Sequence, residues 1–107
     1  MAQQKTLNDG VFTQQQADAG QPVYDSECKT CHDVKFFGTQ FDAWKGRTLL
    51  NFWYFLVAEM PTQNPGLLLD NEYTDIVAYI LSANGYAAGD VALDPKNGMD
   101  LINMASP

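Results

Sequence analysis

Histidine occurs once in this sequence, at position 32, and cysteine twice, at positions 28 and 31. With no second histidine, any centre that needs two imidazole ligands is excluded. Basic residues are scarce, six against 13 acidic, which leaves a net charge of −7 and a pI near 4.2. Such a chain repels phosphate backbones, so the composition argues against nucleic acid as a partner. No apolar run approaches the roughly 20 residues that span a bilayer. Internal repeats and low-complexity stretches are absent too. The opening MAQQKTLNDG lacks the apolar stretch of a signal peptide, which leaves a cytosolic protein or a mature exported one carrying an added Met1.

What remains is the composition of one folded domain: 107 residues, 46% hydrophobic and 18% charged. Thr13-Gln-Gln-Gln16 has the form of a capping box and predicts a helix to about Glu27, with Ala17, Ala19, Gly20, Val23 and Tyr24 near one face. Pro22 inside it predicts a kink or an irregular turn. Residues 33–47 mix glycine, aromatics and charge without a period and read as loop. Thr48 is the expected N-cap of LLNFWYFLVAE, a segment so apolar all round that it needs apolar neighbours on more than one side. MPTQNPG reads as an ordered loop. Asp70 is the expected cap of a further helix stopped by Gly85. Asp94-Pro95 predicts a short last helix to about Met104. No segment reads as a strand.

Every cysteine and histidine falls within CKTCH, Cys28 to His32. Structural zinc needs a full tetrahedral set, and Cys28, Cys31 and His32 supply it only if a carboxylate joins. A thioredoxin-like dithiol belongs at a helix N-terminus in a βαβ setting. Here the motif follows a helix. The third chemistry is c-type haem attachment, which C-x-x-C-H signals directly. Cys28 and Cys31 would add across the two vinyl groups, and His32 would present its imidazole to the iron. The motif thus predicts one haem c, covalent through Cys28 and Cys31, and a metal-bound His32. A large flat apolar cofactor would also supply the second neighbour that the 48–59 helix needs.

The face opposite His32 decides the chemistry. Met60, Met99 and Met104 are the thioether candidates. Met60 opens the proline-bounded loop, where Pro61 disfavours helix and suits a strap crossing a haem face. Met99 and Met104 fall in the expected last helix, where filling gaps is the usual task of methionine. Met60 is accordingly the expected second metal ligand. A His/Met pair describes an electron-transfer protein and not an enzyme. The alternative is a five-coordinate haem that binds a small ligand or has peroxidase activity, with Thr62, Gln63 or Asn64 as a polar distal group.

From Thr13 to about Gly89 the chain resembles class I cytochromes c. The likeness is carried by Gly20, Val23 and Tyr24 of GQPVY, by CKTCH, by FDAWKGRTL, by MPTQNPGL and by DIVAYILSANG. It implies an all-α, small cytochrome c fold of three to five helices around one covalently bound haem. The single domain would span 1–107, with extensions at 1–12 and 90–107, the latter holding the short helix. It implies that Gly20 and Tyr24 meet Ile76 and Tyr79 where the terminal helices cross. It also implies that Trp44 donates to a haem propionate, with Arg47 or Lys45 neutralising the carboxylates. One departure stands out: Asp33-Val34-Lys35-Phe36-Phe37-Gly38 lacks the proline whose carbonyl orients the imidazole in relatives.

Four of the six basic residues, Lys29, Lys35, Lys45 and Arg47, lie within 29–47. They form either a basic rim for docking or a set of propionate partners. The likeness extends to cytochrome domains that serve periplasmic dehydrogenases. It implies redox-protein partners, a donor dehydrogenase and an acceptor oxidase or other cytochrome, and a monomer or weak dimer. Bacterial haem c is attached outside the cytoplasmic membrane, which implies a periplasmic location.

Overall fold

A computed structural model describes residues 5–27, 37, 40–60 and 64–105. Among these residues three α-helices form: α1 at Gln14–Glu27, α2 at Leu49–Glu59 and α3 at Asp70–Ala83. A short 3-10 turn at Phe41–Trp44 precedes α2, and another at Met99–Leu101 follows α3. The fold is mostly helical, as a small cytochrome c fold should be. One element was not foreseen: β1 at Lys5–Thr6 and β2 at Ile102–Asn103 pair in parallel.

Each helix start is set by its own side chains. The Thr13 amide donates to Gln16 Oε1 and the Gln16 amide to Thr13 Oγ1, both at 3.2 Å, which closes the expected capping box. Thr48 does the same with Asn51: the Asn51 amide donates to Thr48 Oγ1 at 3.3 Å, and the Thr48 amide to Asn51 Oδ1 at 3.1 Å. At α3 the cap lies one residue earlier than expected. Leu69 is the N-cap, its amide donating to Glu72 Oε1 at 2.9 Å, and Asp70 is the first helical residue. Glu72 can reach back to the cap only from the third helical position, so it decides the start over the better capping side chain of Asp70. Gly85, at φ +94°, ends α3. The Tyr86 amide donates to Leu81 at 3.1 Å and the Gly85 amide to Ser82 at 3.2 Å, the pair of bonds of a Schellman stop.

The helix runs unbroken through Pro22 to Glu27 with no irregular turn, one missing amide donor being too little to end it. One further expectation for α1 is corrected. Ala19 is exposed, while Ala17, Gly20 and Tyr24 are buried; a spacing of three and four joins 17, 20 and 24 but leaves 19 on the outer side.

The helix α1 lies across α3 at Gly20. A Cβ at that position would fall 1.9 Å from the Asp75 carbonyl oxygen and 2.9 Å from the Ile76 amide nitrogen. Only glycine lets the two backbones approach so closely. One turn on, the Tyr24 and Tyr79 rings meet with centroids 5.5 Å apart. The buried side of α3 is Tyr73, Thr74, Ile76, Val77, Ala78, Ile80 and Leu81. That of α2 is Leu49, Phe52, Trp53 and Leu56.

The expected last helix does not form. Asp94 does begin a turn, its Oδ1 accepting from the Lys96 amide at 2.9 Å and its carbonyl from the Asn97 amide at 3.0 Å. Gly98 then takes φ +91°, outside any right-handed helix, and the chain passes through a single 3-10 turn into β2. This C-terminal segment binds the rest of the fold. The Leu7 amide donates to the Asn103 carbonyl at 3.2 Å, and the Met104 amide to the Arg47 carbonyl at 3.0 Å. Gln16, having capped α1, holds Leu93 as well: the Leu93 amide donates to its Oε1 at 2.9 Å and its Nε2 donates to the Leu93 carbonyl at 3.0 Å. The two extensions are thus built into the fold and touch each other.

On α3, burial pushes the Asp75 carboxyl above its ordinary pKa, and the negative charge of Glu72 adds to the rise. The folded chain therefore holds this proton more tightly than the unfolded chain. Between the two pKa values the folded state binds more protons, so stability falls as pH rises through that window. Asp75→Asn removes the penalty. We expect a higher melting temperature for the variant at pH 7, with a gain that shrinks as pH falls toward the ordinary carboxylate value of about 3.9. Parallel melts across that range measure it, and a gain that does not change with pH would contradict the assignment.

Candidate functional site

Both ends of α2 carry residues singled out from the sequence. At its N-terminal side the preceding 3-10 turn presents Trp44, half-buried, whose ring stands edge-on to Phe52 at 5.5 Å and to Phe55 at 5.4 Å. The Arg47 guanidinium carbon lies 5.1 Å from the Trp44 ring centroid. This is cation–π distance, and Arg47 is exposed, so the charge stays hydrated above the ring. The Trp44 indole N–H has no acceptor among the described residues. Trp53 differs: it is buried, and its Nε1 donates to Thr74 Oγ1 at 3.1 Å. That contrast separates the two tryptophans, with Trp53 spent on packing and Trp44 keeping, beside a cation, a donor with no acceptor among the described residues.

At the C-terminal end Met60 is the C-cap, extended at φ −127° and ψ 143°. Its amide donates to the Leu56 carbonyl at 2.9 Å and its carbonyl accepts from the Tyr73 hydroxyl at 2.7 Å. Both main-chain polar groups are therefore held, while the half-buried thioether packs against the edge of the core. Met99 and Met104 are fully enclosed in the core, 1% and 4% exposed. They sit in the 3-10 turn and just after β2, not in a helix. The geometry brings Arg47 to Trp44, and it sets Met60 at the other end of the same helix. Cys28, Cys31 and His32 lie outside the described residues, as do Lys29 and Lys35.

The sequence reading passed over Tyr73. A signal was there: a tyrosine on the buried stripe of a helix, in register with Ile76, Val77 and Ile80, needs a partner for its hydroxyl. Which group that would be depends on how α2 and α3 pack.

The model of the family described as cytochrome c oxidase, cbb3-type, subunit III matches residues 15–80, well over half of the 107-residue chain. The chain belongs to this family. It is a class I monohaem cytochrome c domain, and such a domain carries covalently bound haem c with its iron and works in haem-based electron transfer. No curated protein and no solved structure matches the chain. Among the described residues no helix is long and apolar enough to cross a membrane.

The described residues of this cytochrome c domain fit the group. A thioether is offered from a backbone with no spare polar group. Among the described residues the Trp44 indole donor has no acceptor and lies beside a guanidinium, as an anionic substituent would require. Phe37, Phe41, Phe52 and Leu56 are all buried, so the interior beside Trp44 and α2 is apolar.

Proposed function

We propose that residues 1–107 form one cytochrome c domain that acts as a monohaem electron carrier, in which Cys28 and Cys31 tether the haem while His32 and Met60 ligate the iron. The observation that carries this reading is the double hold on the Met60 main chain at the end of α2, which fixes the backbone that bears its thioether. Bound haem c supplies a one-electron couple at its iron. Thioether ligation favours the reduced state, and so does burial. The task of the chain is then rigidity and exclusion of water, which the aromatic core on α2 provides. Trp44 would donate to a propionate, and Arg47 beside it would offset the carboxylate charge.

Such a carrier would be periplasmic, a monomer or weak dimer, taking electrons from a donor dehydrogenase and passing them to an acceptor oxidase or another cytochrome. The test is spectroscopic. The purified protein should show one haem-sized covalent mass increment and a sulfur-to-iron charge-transfer band in the oxidised state. Met60→Ala should abolish that band completely and lower the reduction potential, while Met99→Ala and Met104→Ala keep the band. A band that survives Met60→Ala, or ready carbon monoxide binding by the reduced wild type, would overturn the His/Met assignment in favour of an open iron.

A further inference from the structure

Tyr73 is a large side chain, 2% exposed, yet its hydroxyl is not spent on its own helix. It reaches across from the first turns of α3 to the Met60 carbonyl at 2.7 Å. Before α3 the Leu67 amide closes a turn on the Asn64 carbonyl at 3.2 Å. The phenol joins the end of α2 to the first turn of α3. Its own position is fixed from behind. The Tyr73 amide donates to Leu69 at 3.1 Å, and its ring stands edge-on to Trp53 at 6.5 Å. Trp53 is pinned in turn through Thr74, which itself donates to the Asp70 carbonyl at 2.8 Å. On the other side Met60 leaves α2 in extended conformation and Pro61 follows, a residue without an amide proton. Past the Leu56 bond, the Tyr73 hydroxyl is what ties the Met60 main chain to α3.

We propose that Tyr73 is a positioning residue for the Met60 thioether, a latch on the main chain of the ligand that sets how readily the ligand gives way to an external one. The inference rests on the reading of Met60 as ligand. A carbonyl that loses its buried donor is free to turn toward water, and the residue that carries it turns as well. The cost of an unmet polar group falls on the state in which Met60 sits in place. Removing the hydroxyl therefore shifts the balance toward a displaced Met60, while the ring, which the core needs, can remain.

The experiment uses the haem-loaded full chain and imidazole as the competing ligand. Tyr73→Phe keeps the ring and deletes the hydroxyl. It should retain the sulfur-to-iron band but bind imidazole on the order of tenfold more tightly in the oxidised state. That band should also fade at a lower temperature than in the wild type, with a smaller change in the loss of helical circular dichroism. Tyr86→Phe is the control, because it deletes another buried hydroxyl, one that donates to the Ala105 carbonyl and not to Met60; its imidazole affinity should stay within about twofold of wild type. If Met60→Ala removes the band while Tyr73→Phe leaves imidazole affinity unchanged, the latch is refuted and the ligand assignment stands. The latch is equally refuted if Tyr86→Phe raises affinity as much as Tyr73→Phe does, since the effect is then general loosening. If the band survives Met60→Ala, the ligand assignment fails and takes the latch with it.

Discussion

Gly20→Ala should lower stability by about 3 kcal/mol or more, at the upper end of what overpacking costs. The added methyl group would sit 1.9 Å from the Asp75 carbonyl oxygen and 2.4 Å from its carbonyl carbon. These are backbone atoms inside α3, so no side chain can turn aside to make room. The helices must separate, and with them the buried contacts of Ala17, Tyr24, Ile76 and Tyr79. Native domains hold only about 5–15 kcal/mol in reserve. For a chain of this size a loss of about 3 kcal/mol lowers the melting temperature by roughly 10–20 °C. The effect should extend to the cofactor, because α1 ends at Glu27 and Cys28 follows in the chain. The fraction of purified chain carrying covalent haem should fall as well. Gln21→Ala, one residue on and exposed, should change neither quantity. A Gly20→Ala protein that melts within about 3 °C of wild type would mean that the helices do not cross at this contact.

Phe52→Ala should cost about 3–5 kcal/mol, the usual range for deleting a buried aromatic ring. Phe52 is 1% exposed and lies at the centre of an aromatic cluster. Its ring centroid is 6.0 Å from that of Phe37, 5.5 Å from Phe41, 5.5 Å from Trp44 and 6.4 Å from Phe55. Most of these meet it edge to face, an arrangement that adds to the burial. Its neighbours come from three places in the chain, so they cannot close over the void together. Chemical denaturation gives the stability change, and Trp44 fluorescence should shift because that ring loses one of its two edge contacts. Phe52→Leu, which returns part of the volume, should recover part of the loss. An unchanged fluorescence maximum would remove Phe52 from the support of Trp44.

Much of the local structure was legible before any fold was known. Thr13 with Gln16 marked the start of α1, Thr48 that of α2, and Gly85 the stop of α3. Each of these signals acts over three or four residues and needs nothing from the rest of the chain. The misplaced cap at Asp70 shows the limit of that rule. Two local signals competed there, and the one supplied by Glu72 prevailed. The error at the C-terminus has another origin, for Asp94-Pro95 does start a turn. Gly98 and the pairing of β2 with β1 then draw the chain away from a helix. A strand of two residues has no period to read, and its partner lies at the opposite terminus.

The cofactor was written in CKTCH, since attaching haem c requires those residue types at that spacing, and neither fold nor neighbours can supply them. The family was carried by short motifs of the same kind. Tertiary structure decided what each conspicuous side chain is used for. It committed the Trp53 N–H to Thr74 and left that of Trp44, under Arg47, with no acceptor among the described residues. It buried Met99 and Met104 and held Met60 at the rim of the core by both of its main-chain groups. A sequence determines which donors and acceptors exist; their partners are set by the packing of helices far apart in the chain.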